Sequence, residues 1–347
     1  MIDYEALLAQ KPYGMTQPEK DAFYREAIED LSKHHAANCT EYAKIYRQFG
    51  AGFALPVRLF KLKELKSVPA DQVRRTMTSS GTSGQAVSRI FLDADTAARQ
   101  TKVLSRIVGD FLGQGRRPML ILDSSAVLKN RKMFSARGAG ILGFSIFGSG
   151  AKYALDENME LNVPLLEEFC RKNENTPVLL FGFTFMVWQH FILKLKEQGL
   201  HLKLNGVLIH GGGWKKLTEL AVDNDTYKQE IREWTGIDTV LNYYGMVEQT
   251  GSIFMECPCG RLHASIFSDV DIIDPVTMEK KSSGRGLIRC TSLLPTSYPG
   301  HVLLTEDEGE LTGIDDCPCG RKGKTFKIYG RLAGAEIRGC SDTYEKR

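Results

Sequence analysis

Four short apolar runs constrain the fold of this chain more than any other feature of its sequence. They lie at 118–122, 177–181, 206–210 and 239–243, and the stretches between strand candidates are long enough for helices. Strands that are buried on both faces of a parallel sheet have this character, because helices cover both faces of such a sheet. The sequence therefore predicts an α/β domain with a mostly parallel sheet.

The first 70 residues have a different, helical pattern. Apolar residues recur at helical spacing from Pro18 to Phe49, and Gly50 is suited to ending the helix. The adjacent His34 and His35 are poorly arranged for a metal, so we expect them on the solvated surface of this helix.

The composition changes again at residue 252, where short alternating segments are separated by Gly, Pro and Asp. This pattern is typical of a small β-rich region. We therefore expect three regions, namely a helical segment at 1–70, an α/β core at 71–250, and a β-rich region with a C-terminal tail at 251–347.

The overall composition excludes several classes of function. Of the 347 residues, 42% are hydrophobic and 25% are charged, as in ordinary globular proteins. The net charge of +3 is too small to indicate a nucleic-acid or membrane-surface partner, and no apolar run reaches the roughly 18 residues of a membrane span. Because the N-terminus lacks a signal-peptide pattern, we expect a cytoplasmic protein with eight cysteines that are thiols or metal ligands.

A loop of hydroxyls and glycines is predicted between two strands in residues 73–92. Its sequence is T-S-S-G-T-S-G-Q at 78–85. Glycine lets a ligand approach the backbone, successive amides form a concavity for anions, and hydroxyls add donors. An ordinary Ser/Gly loop explains this stretch equally well when it is taken alone.

Two of the apolar runs end in unusual residues. H-G-G-G-W-K follows the third run from His210, and Y-Y-G-M-V-E extends from Tyr243 to Glu248. Ligands of open α/β sheets bind outside the carboxyl ends of the strands. Each stretch alone is also consistent with an ordinary turn, but their occurrence together with the loop favours a nucleotide site.

The pentapeptide C-P-C-G-R occurs twice, and the two copies predict a metal site. Thiolates on tight turns are the usual ligands of small zinc sites, although C-x-C is rarer there than C-x₂-C. The set is either four cysteines or three cysteines with a histidine, and four free thiols are the alternative. A closed set of four protein ligands would be structural rather than catalytic. The candidate ligands are Cys257, Cys259, His263, Cys317 and Cys319.

Taken in order, these motifs resemble those of the acyl-adenylate-forming (ANL) superfamily. The segments that carry the resemblance lie at 79–85, 210–215, 244–249 and 336–340. They are most similar to the acyl-protein synthetases of bacterial bioluminescence, the LuxE-type long-chain-fatty-acid–luciferin-component ligases. Phenylacetate–CoA ligases are the next most similar, and they have a Cys/His zinc site at the place of the two pentapeptides. The resemblance implies an ANL-type large domain, α/β with mostly parallel sheets and helices, plus a small β-rich zinc-knuckle subdomain.

The resemblance also implies a reaction. A fatty or aryl carboxylic acid would react with ATP, in the presence of Mg²⁺, to give acyl-AMP and pyrophosphate. A thiol would then take the acyl group, and this thiol would belong to the protein itself, to CoA or to a carrier protein.

Family roles can be carried over to matching positions. The loop would hold the β- and γ-phosphates, the two strand-end motifs would hold adenine, Glu248 would bind Mg²⁺, and Asp307 would bind the ribose hydroxyls. Arg331 would contact the ribose or a phosphate, and a surface arginine is its alternative. The implied nucleotide contacts are Ser79, Ser80, Gly81, Thr82, Ser83, Gly84, Gly211, Gly212, Gly213, Tyr243, Tyr244, Gly245, Met246 and Asp307.

The sequence departs from the superfamily pattern at several positions. Thr305-Glu306-Asp307 stands where these families usually have Thr-Gly-Asp, and no lysine follows the phosphate loop. The chain stops at Arg347, so we expect no mobile C-terminal domain with a catalytic lysine. Lys215, Lys216 or Arg331 would then neutralise the developing charge, or a partner would supply the missing domain.

Cys340 is the candidate acyl acceptor. LuxE-type proteins have an acylated cysteine near the C-terminus, and Cys340 matches that position. The neighbouring Arg338 would favour the nucleophilic thiolate. The thioester would pass to an acyl reductase or transferase, whereas an ordinary tail cysteine is the alternative.

The acyl pocket is less well defined. Phe183, Trp188 and His210 are candidates to line it, although aromatic stretches of this kind are more often part of the core. Two other functions stay open, namely a ligase that loads CoA or a carrier protein, and a non-catalytic nucleotide- and zinc-binding scaffold.

Overall fold

The computed structural model describes residues 2–79, 87–128, 136–214 and 221–331 of the chain. Contacts group the chain into two compact units. The first contains Met1–Phe111 and the segment that begins at Tyr244, and the second contains Leu112–Tyr243. The boundaries expected after residues 70 and 250 do not coincide with these limits, and the division into three regions stays a prediction.

The α-helices are α1 (Tyr4–Ala9), α2 (Gln17–Asn38), α3 (Thr40–Phe49), α4 (Leu59–Leu62), α5 (Ala94–Leu112), α6 (Ala136–Phe144), α7 (Val163–Lys172), α8 (Thr184–Met186), α9 (Leu193–Gln198) and α10 (Asn224–Thr235). A π-helical segment, Val187–Ile192, joins α8 to α9, and a 3₁₀ turn covers Val247–Gln249.

The strands are β1 (Leu55–Pro56), β2 (Arg75–Thr78), β3 (Arg89–Leu92), β4 (Arg117–Ser124), β5 (Gly148–Leu155), β6 (Val178–Phe183), β7 (Gly206–Gly211), β8 (Thr239–Tyr244), β9 (Phe254–Glu256), β10 (Leu262–His263), β11 (Ser268–Ile273), β12 (Lys280–Lys281), β13 (Gly286–Ser292), β14 (Val302–Ile314) and β15 (Lys324–Arg331).

The parallel sheet of the second unit confirms the prediction from the four apolar runs. They form β4, β6, β7 and β8, in the order β8-β7-β6-β4, with every pairing parallel. Their central residues are buried on both faces, as the uninterrupted apolar character predicts. The edge strand β5 escaped the sequence analysis because its G-S-G-A-K-Y-A-L sequence has neither an apolar run nor a clear alternation.

The first unit contains an antiparallel sheet with the order β12-β11-β13-β14-β15-β10-β9. This confirms the β-rich pattern that begins at residue 252. The short strand β1 pairs with β14 in parallel, so a segment from the N-terminal region is bonded directly to the longest strand of the sheet. A separate hairpin, β2–β3, matches the strand–loop–strand pattern predicted at 73–92.

The N-terminal helical pattern is present but interrupted. Helix α2 begins with a capping box, in which Thr16 and Glu19 bond reciprocally, and Pro18 lies in the first turn as predicted. The chain leaves helical geometry at Cys39, with φ −132° and ψ 106°, so the single helix expected from Pro18 to Phe49 is two helices. Gly50 ends α3 with a positive φ, as predicted.

The expectation that both His34 and His35 lie on the surface is wrong for His35. Its ring is fully buried and stacks on His301 with 4.8 Å between ring centroids. The Nδ1 atom of His35 lies 2.8 Å from the Ser67 hydroxyl, and the Nε2 atom of His301 lies 2.9 Å from the Ser32 hydroxyl. Burial lowers the pKa of His35 well below its usual range and lowers that of His301 to about 3. Both rings are therefore neutral, structural parts of the first unit.

No helix among the described residues is both long enough and apolar enough to span a bilayer.

Mild acidification is expected to destabilise the first unit through this histidine pair. Both folded-state pKa values are depressed, so the unfolded chain binds more protons as the pH falls below about 6.5, and the free energy of unfolding decreases. Each histidine contributes up to about 1.4 kcal/mol per pH unit. Urea unfolding across neutral to mildly acidic pH measures the slope. His301→Gln should reduce the slope of the unfolding free energy against pH, and His34→Gln should not. Equal slopes in the unmodified protein and in both variants would contradict the assignment of this pH dependence to the buried pair.

Candidate functional site

The hairpin β2–β3 presents the predicted phosphate loop. Thr78 and Arg89 are the last residues paired before the turn. Beyond them, the Ser79 amide donates to the Ser88 carbonyl at 3.1 Å, and the Ser88 amide donates to the Ser79 hydroxyl at 2.9 Å. The Ser79 side chain thus bonds to the backbone of the segment that follows the loop. Ser80, Gly81, Thr82, Ser83 and Gly84 lie outside the described residues.

Three predicted nucleotide residues meet at one end of the β14–β15 hairpin. Asp307 and Arg331 are direct cross-strand partners. The Tyr244 hydroxyl donates to Asp307 Oδ2 at 2.6 Å, and Arg331 Nε lies 3.5 Å from Asp307 Oδ1. Asp307 thus has a phenol at one carboxylate oxygen and a guanidinium at the other. A carboxylate oxygen accepts hydrogen bonds and cannot donate them, so Asp307 is suited to hydroxyl donors.

Tyr244 is held by the core on its other side. Its ring packs against Phe254 and Phe326, with centroid distances of 6.0 and 6.2 Å. Burial and the Asp307 carboxylate raise the pKa of Tyr244 well above its usual value, so the phenol stays protonated and acts as a donor. Met246 packs against the same apolar cluster, while Gly245 between them is exposed.

Glu248 lies on the 3₁₀ turn and is buried, with 5% relative exposure. The Tyr298 hydroxyl donates to the Glu248 carbonyl at 2.9 Å, and the Gln249 amide donates to the Gly300 carbonyl at 2.8 Å. A Cβ at Gly300 would lie 2.9 Å from the Glu248 carbonyl oxygen and even closer to the Tyr298 ring, so a side chain does not fit there. Gln249, Tyr298 and Gly300 thus fix the turn that carries Glu248. Sequence reasoning missed this arrangement because nothing in the sequence links residues 298–300 to residue 248.

In the second unit, Thr184 organises the triple glycine. Its hydroxyl lies 2.9 Å from His210 Nδ1 and 2.7 Å from the Gly212 carbonyl oxygen. Because a hydroxyl has one hydrogen, the shorter contact assigns that hydrogen to Gly212, and the N–H of His210 Nδ1 then donates to Thr184. Gly212 has φ +79°, a conformation that favours glycine, and the Gly212 and Gly213 backbone is exposed.

His210 is buried and neutral. Burial, followed by Lys228, lowers its pKa to about 3. With Nδ1 protonated, Nε2 is an acceptor, and it has no hydrogen-bond partner within the described parts of the chain. The side chain can therefore accept a hydrogen bond, but it does not provide a positive charge at neutral pH.

The other predicted acyl-pocket residues belong to buried aromatic clusters. Trp188 stacks with Tyr227 at 5.8 Å. The Phe183 ring packs closely on Gly140, because a Cβ atom added to Gly140 would lie 2.8 Å from that ring. The Tyr243 ring packs in the same way on Gly211, where an added Cβ atom would lie 2.4 Å from the ring. These rings are core residues of the second unit, and their contacts to a ligand stay a prediction.

The two pentapeptides converge on one cluster. One ligand atom from each of Cys257, His263, Cys317 and Cys319 lies within 4.8 Å of the others. The Cys257 and Cys317 sulfurs are 3.7 Å apart, and Cys319 Sγ lies 3.4 Å from His263 Nε2. Cys259 is exposed and is not a member of the cluster, so the geometry favours three cysteines with one histidine over four cysteines.

The local backbone explains this convergence. In each pentapeptide the glycine amide donates to the carbonyl of the first cysteine at 2.9 Å, and the glycines have φ of +70° and +82°. Strand β10 pairs with both β9 and β15, which brings the two turns together. Burial and the nearby Arg321 and Arg261 lower the pKa of His263 to about 4, so the imidazole is neutral, as a metal ligand must be.

Two predicted catalytic residues, Lys215 and Cys340, lie outside the described residues.

Comparison with known proteins adds an independent finding. The family model described as "Acyl-protein synthetase, LuxE" matches residues 2–347. The long-chain-fatty-acid–luciferin-component ligase of Aliivibrio fischeri is 23% identical over 298 residues, which cover 82% of this chain and 76% of that protein. The ligase of the same name from Vibrio harveyi is 22% identical over 349 residues, which cover 95% and 89%.

Solved structures extend the similarity to the fold. An open conformation of 2-hydroxyisobutyryl-CoA ligase, in complex with 2-HIB-AMP and CoA, superposes with a TM-score of 0.70 at 17% identity and covers 92% of this chain and 77% of that one. The same ligase in its postadenylation state with 2-HIB-AMP gives a TM-score of 0.71 at 16% identity, covering 93% and 70%. The mixed α/β fold expected from the sequence is thus confirmed, while a separate zinc-knuckle subdomain stays a prediction.

Proposed function

This chain belongs to the acyl-protein synthetase (LuxE) family, and from that membership we propose that it activates a carboxylic acid with ATP and transfers the acyl group to a thiol. The carboxylate oxygen attacks the α-phosphorus of ATP, an O–P bond forms, and pyrophosphate leaves. A thiolate then attacks the acyl carbon, forming a thioester and releasing AMP. The chain is accordingly an enzyme of the acid–thiol ligase type.

The arrangement of Tyr244, Asp307 and Arg331 carries this proposal. A carboxylate that is oriented by a phenol and by a guanidinium suits the paired hydroxyls of a ribose. Arg331 adds a planar cation that can contact a phosphate. Ser79 and the following loop residues are the proposed ligands of the β- and γ-phosphates.

Glu248 is the proposed Mg²⁺ ligand. Its side chain is buried, and the turn that carries it is fixed by hydrogen bonds of Tyr298 and Gln249. Oxygen ligands are those that Mg²⁺ prefers, and the ion would offset phosphate charge during adenylation.

The second unit would contribute to acyl and nucleotide binding. We propose that the exposed Gly212 and Gly213 backbone contacts the nucleotide and that His210 Nε2 accepts a hydrogen bond from a bound ligand. Lys215 is the proposed second cation for the developing charge.

Cys340 is the proposed acyl acceptor, and the other cysteines support this choice by their surroundings. Cys39 and Cys290 are buried, and burial raises the pKa of Cys290 and of the partly exposed Cys170, which disfavours their nucleophilic thiolates. Cys259 is exposed and serves as the matched control. An acyl reductase or transferase that takes the thioester from Cys340 stays a prediction.

The four-residue cluster of Cys257, His263, Cys317 and Cys319 fits Zn²⁺. Three thiolates and a neutral imidazole supply a tetrahedral set with no position left for water, so the proposed ion is structural rather than catalytic.

Carboxylate-dependent ATP–pyrophosphate exchange tests the adenylation step. With Mg²⁺ and a panel of fatty and aryl acids, the protein should catalyse exchange, and Glu248→Gln should reduce the rate by roughly 10²-fold or more because the metal loses its ligand. Glu256→Gln alters another buried carboxylate of the first unit and is the control, with thermal melts for both variants. Absence of exchange with every acid would refute the proposed activity.

Intact-mass measurement tests the acceptor. After incubation with ATP, Mg²⁺ and an accepted acid, the protein should gain the acyl mass as a hydroxylamine-sensitive thioester. Cys340→Ser should abolish this gain, whereas Cys259→Ser should retain it. If Cys340→Ser still forms acyl-CoA when CoA is added, free CoA is the acceptor instead.

Metal analysis tests the cluster. The purified protein should contain about one Zn²⁺ per chain, as a closed four-ligand site requires. Cys319→Ser should lower the zinc content and the thermal stability, while Cys259→Ser should leave both unchanged. Equal zinc loss in the two variants would exclude the three-cysteine, one-histidine assignment.

A further inference from the structure

Glu306 places a second carboxylate beside Asp307, where the resembling families usually have glycine. Arg331 Nη1 lies 3.9 Å from Glu306 Oε2, while its Nε lies 3.5 Å from Asp307 Oδ1. The guanidinium therefore lies within reach of two competing carboxylates. Another cation beside Glu306 would weaken its competition with Asp307 for Arg331.

Arg58 supplies that other cation. Strand β1 pairs with β14 in parallel, with Leu55 opposite Leu303 and Pro56 opposite Leu304. The Val57 amide continues the ladder by donating to the Leu304 carbonyl at 3.1 Å. Two residues after the paired Pro56, the chain turns into α4 at Arg58, which has helical backbone angles, and Arg58 Nε donates to Glu306 Oε1. The pairing of β1 with β14 thus brings this turn beside Glu306.

The charges explain why this contact matters. Arg58, Glu306, Asp307 and Arg331 together carry two positive and two negative charges, so the group is neutral. Without Arg58 the group carries one net negative charge beside the proposed ribose site. That charge would repel a polyphosphate, and Glu306 would also compete for Arg331.

We propose that Arg58 is a positioning residue of the nucleotide site, which neutralises Glu306 and so keeps Arg331 on Asp307. This inference rests on the proposed ATP-dependent function. Arg58 acts through Glu306 and need not touch the nucleotide itself.

Calorimetric titration of the full chain with MgATP tests this role. Arg58→Ala should weaken ATP binding by roughly tenfold, in keeping with the loss of one partly screened charge near a polyanion. The double variant Arg58→Ala/Glu306→Gly, which creates Thr-Gly-Asp, should return the ATP affinity to within about twofold of that of the unmodified protein. In binding free energy, a change of about twofold is small beside the roughly tenfold loss expected for Arg58→Ala. Glu306→Gly alone should bind ATP at least as tightly as the unmodified protein, because the group then carries one net positive charge. Rescue by a second substitution distinguishes positioning from a merely structural role.

Two further measurements sharpen the test. Because the defect is electrostatic in part, it should shrink as salt is added. Lys102→Ala removes a cation from an exposed ion pair with Glu5 in the same unit and should not alter ATP affinity. Unchanged affinity in Arg58→Ala, or no rescue in the double variant, would overturn the proposal. If the unmodified protein binds no ATP, the proposed function itself fails. If the unmodified protein binds ATP but the Arg58 variants do not behave as expected, only the positioning role fails.

Discussion

The pairing of strand β14 is the constraint on which the first unit depends. This strand bonds to β13 and β15 in antiparallel fashion and to β1 in parallel. Its register with β15 places Asp307 opposite Arg331, and its pairing with β1 brings the turn that carries Arg58 beside Glu306. Because successive strand residues face opposite sides of a sheet, a slip of one residue in the β14–β15 pairing would separate Asp307 from Arg331.

The metal cluster lies at the other end of the same hairpin. Cys317 and Cys319 belong to the connection between β14 and β15, close to the paired residues Ile314 and Lys324. Strand β10, which carries His263, pairs with β15 next to this connection. A four-ligand site there would tie three strands together at one end of the hairpin, and Asp307 lies farther along the same pairing. The proposed structural metal and the proposed nucleotide residues therefore share one pair of strands.

Sequence reasoning worked where the signal was local and periodic. The four apolar runs predicted the parallel strands of the second unit because burial on both faces leaves a continuous apolar run. It failed where contacts are distant in sequence. His35 was misassigned because its partner, His301, is 266 positions away, and a polar residue on a helix does not reveal which partner buries it. Arg58, Tyr298 and Thr184 carry no motif, and their roles appear only when the strands are paired.

The candidate metal ligands show an intermediate case. The repeated pentapeptide identified the cluster but could not separate Cys259 from His263, because turn geometry rather than spacing decides which side chain points inward. In the structure the first cysteine of each turn is buried, whereas the second is exposed in one turn and partly buried in the other. Two identical pentapeptides thus contribute unequally, since only Cys319 of the two second cysteines approaches His263.

The protonation states limit how charge can be handled during adenylation. His210 is neutral, with Nδ1–H committed to Thr184, and Tyr244 is a protonated donor committed to Asp307. Neither residue can offset the negative charge that develops as the carboxylate attacks the α-phosphorus. Arg331 is a cation among the candidate residues that the structure describes. Its guanidinium lies near two carboxylates, those of Asp307 and Glu306. Glu306 is itself paired with Arg58, and this pair supports the proposal that the charge of Arg331 serves Asp307 and the nucleotide.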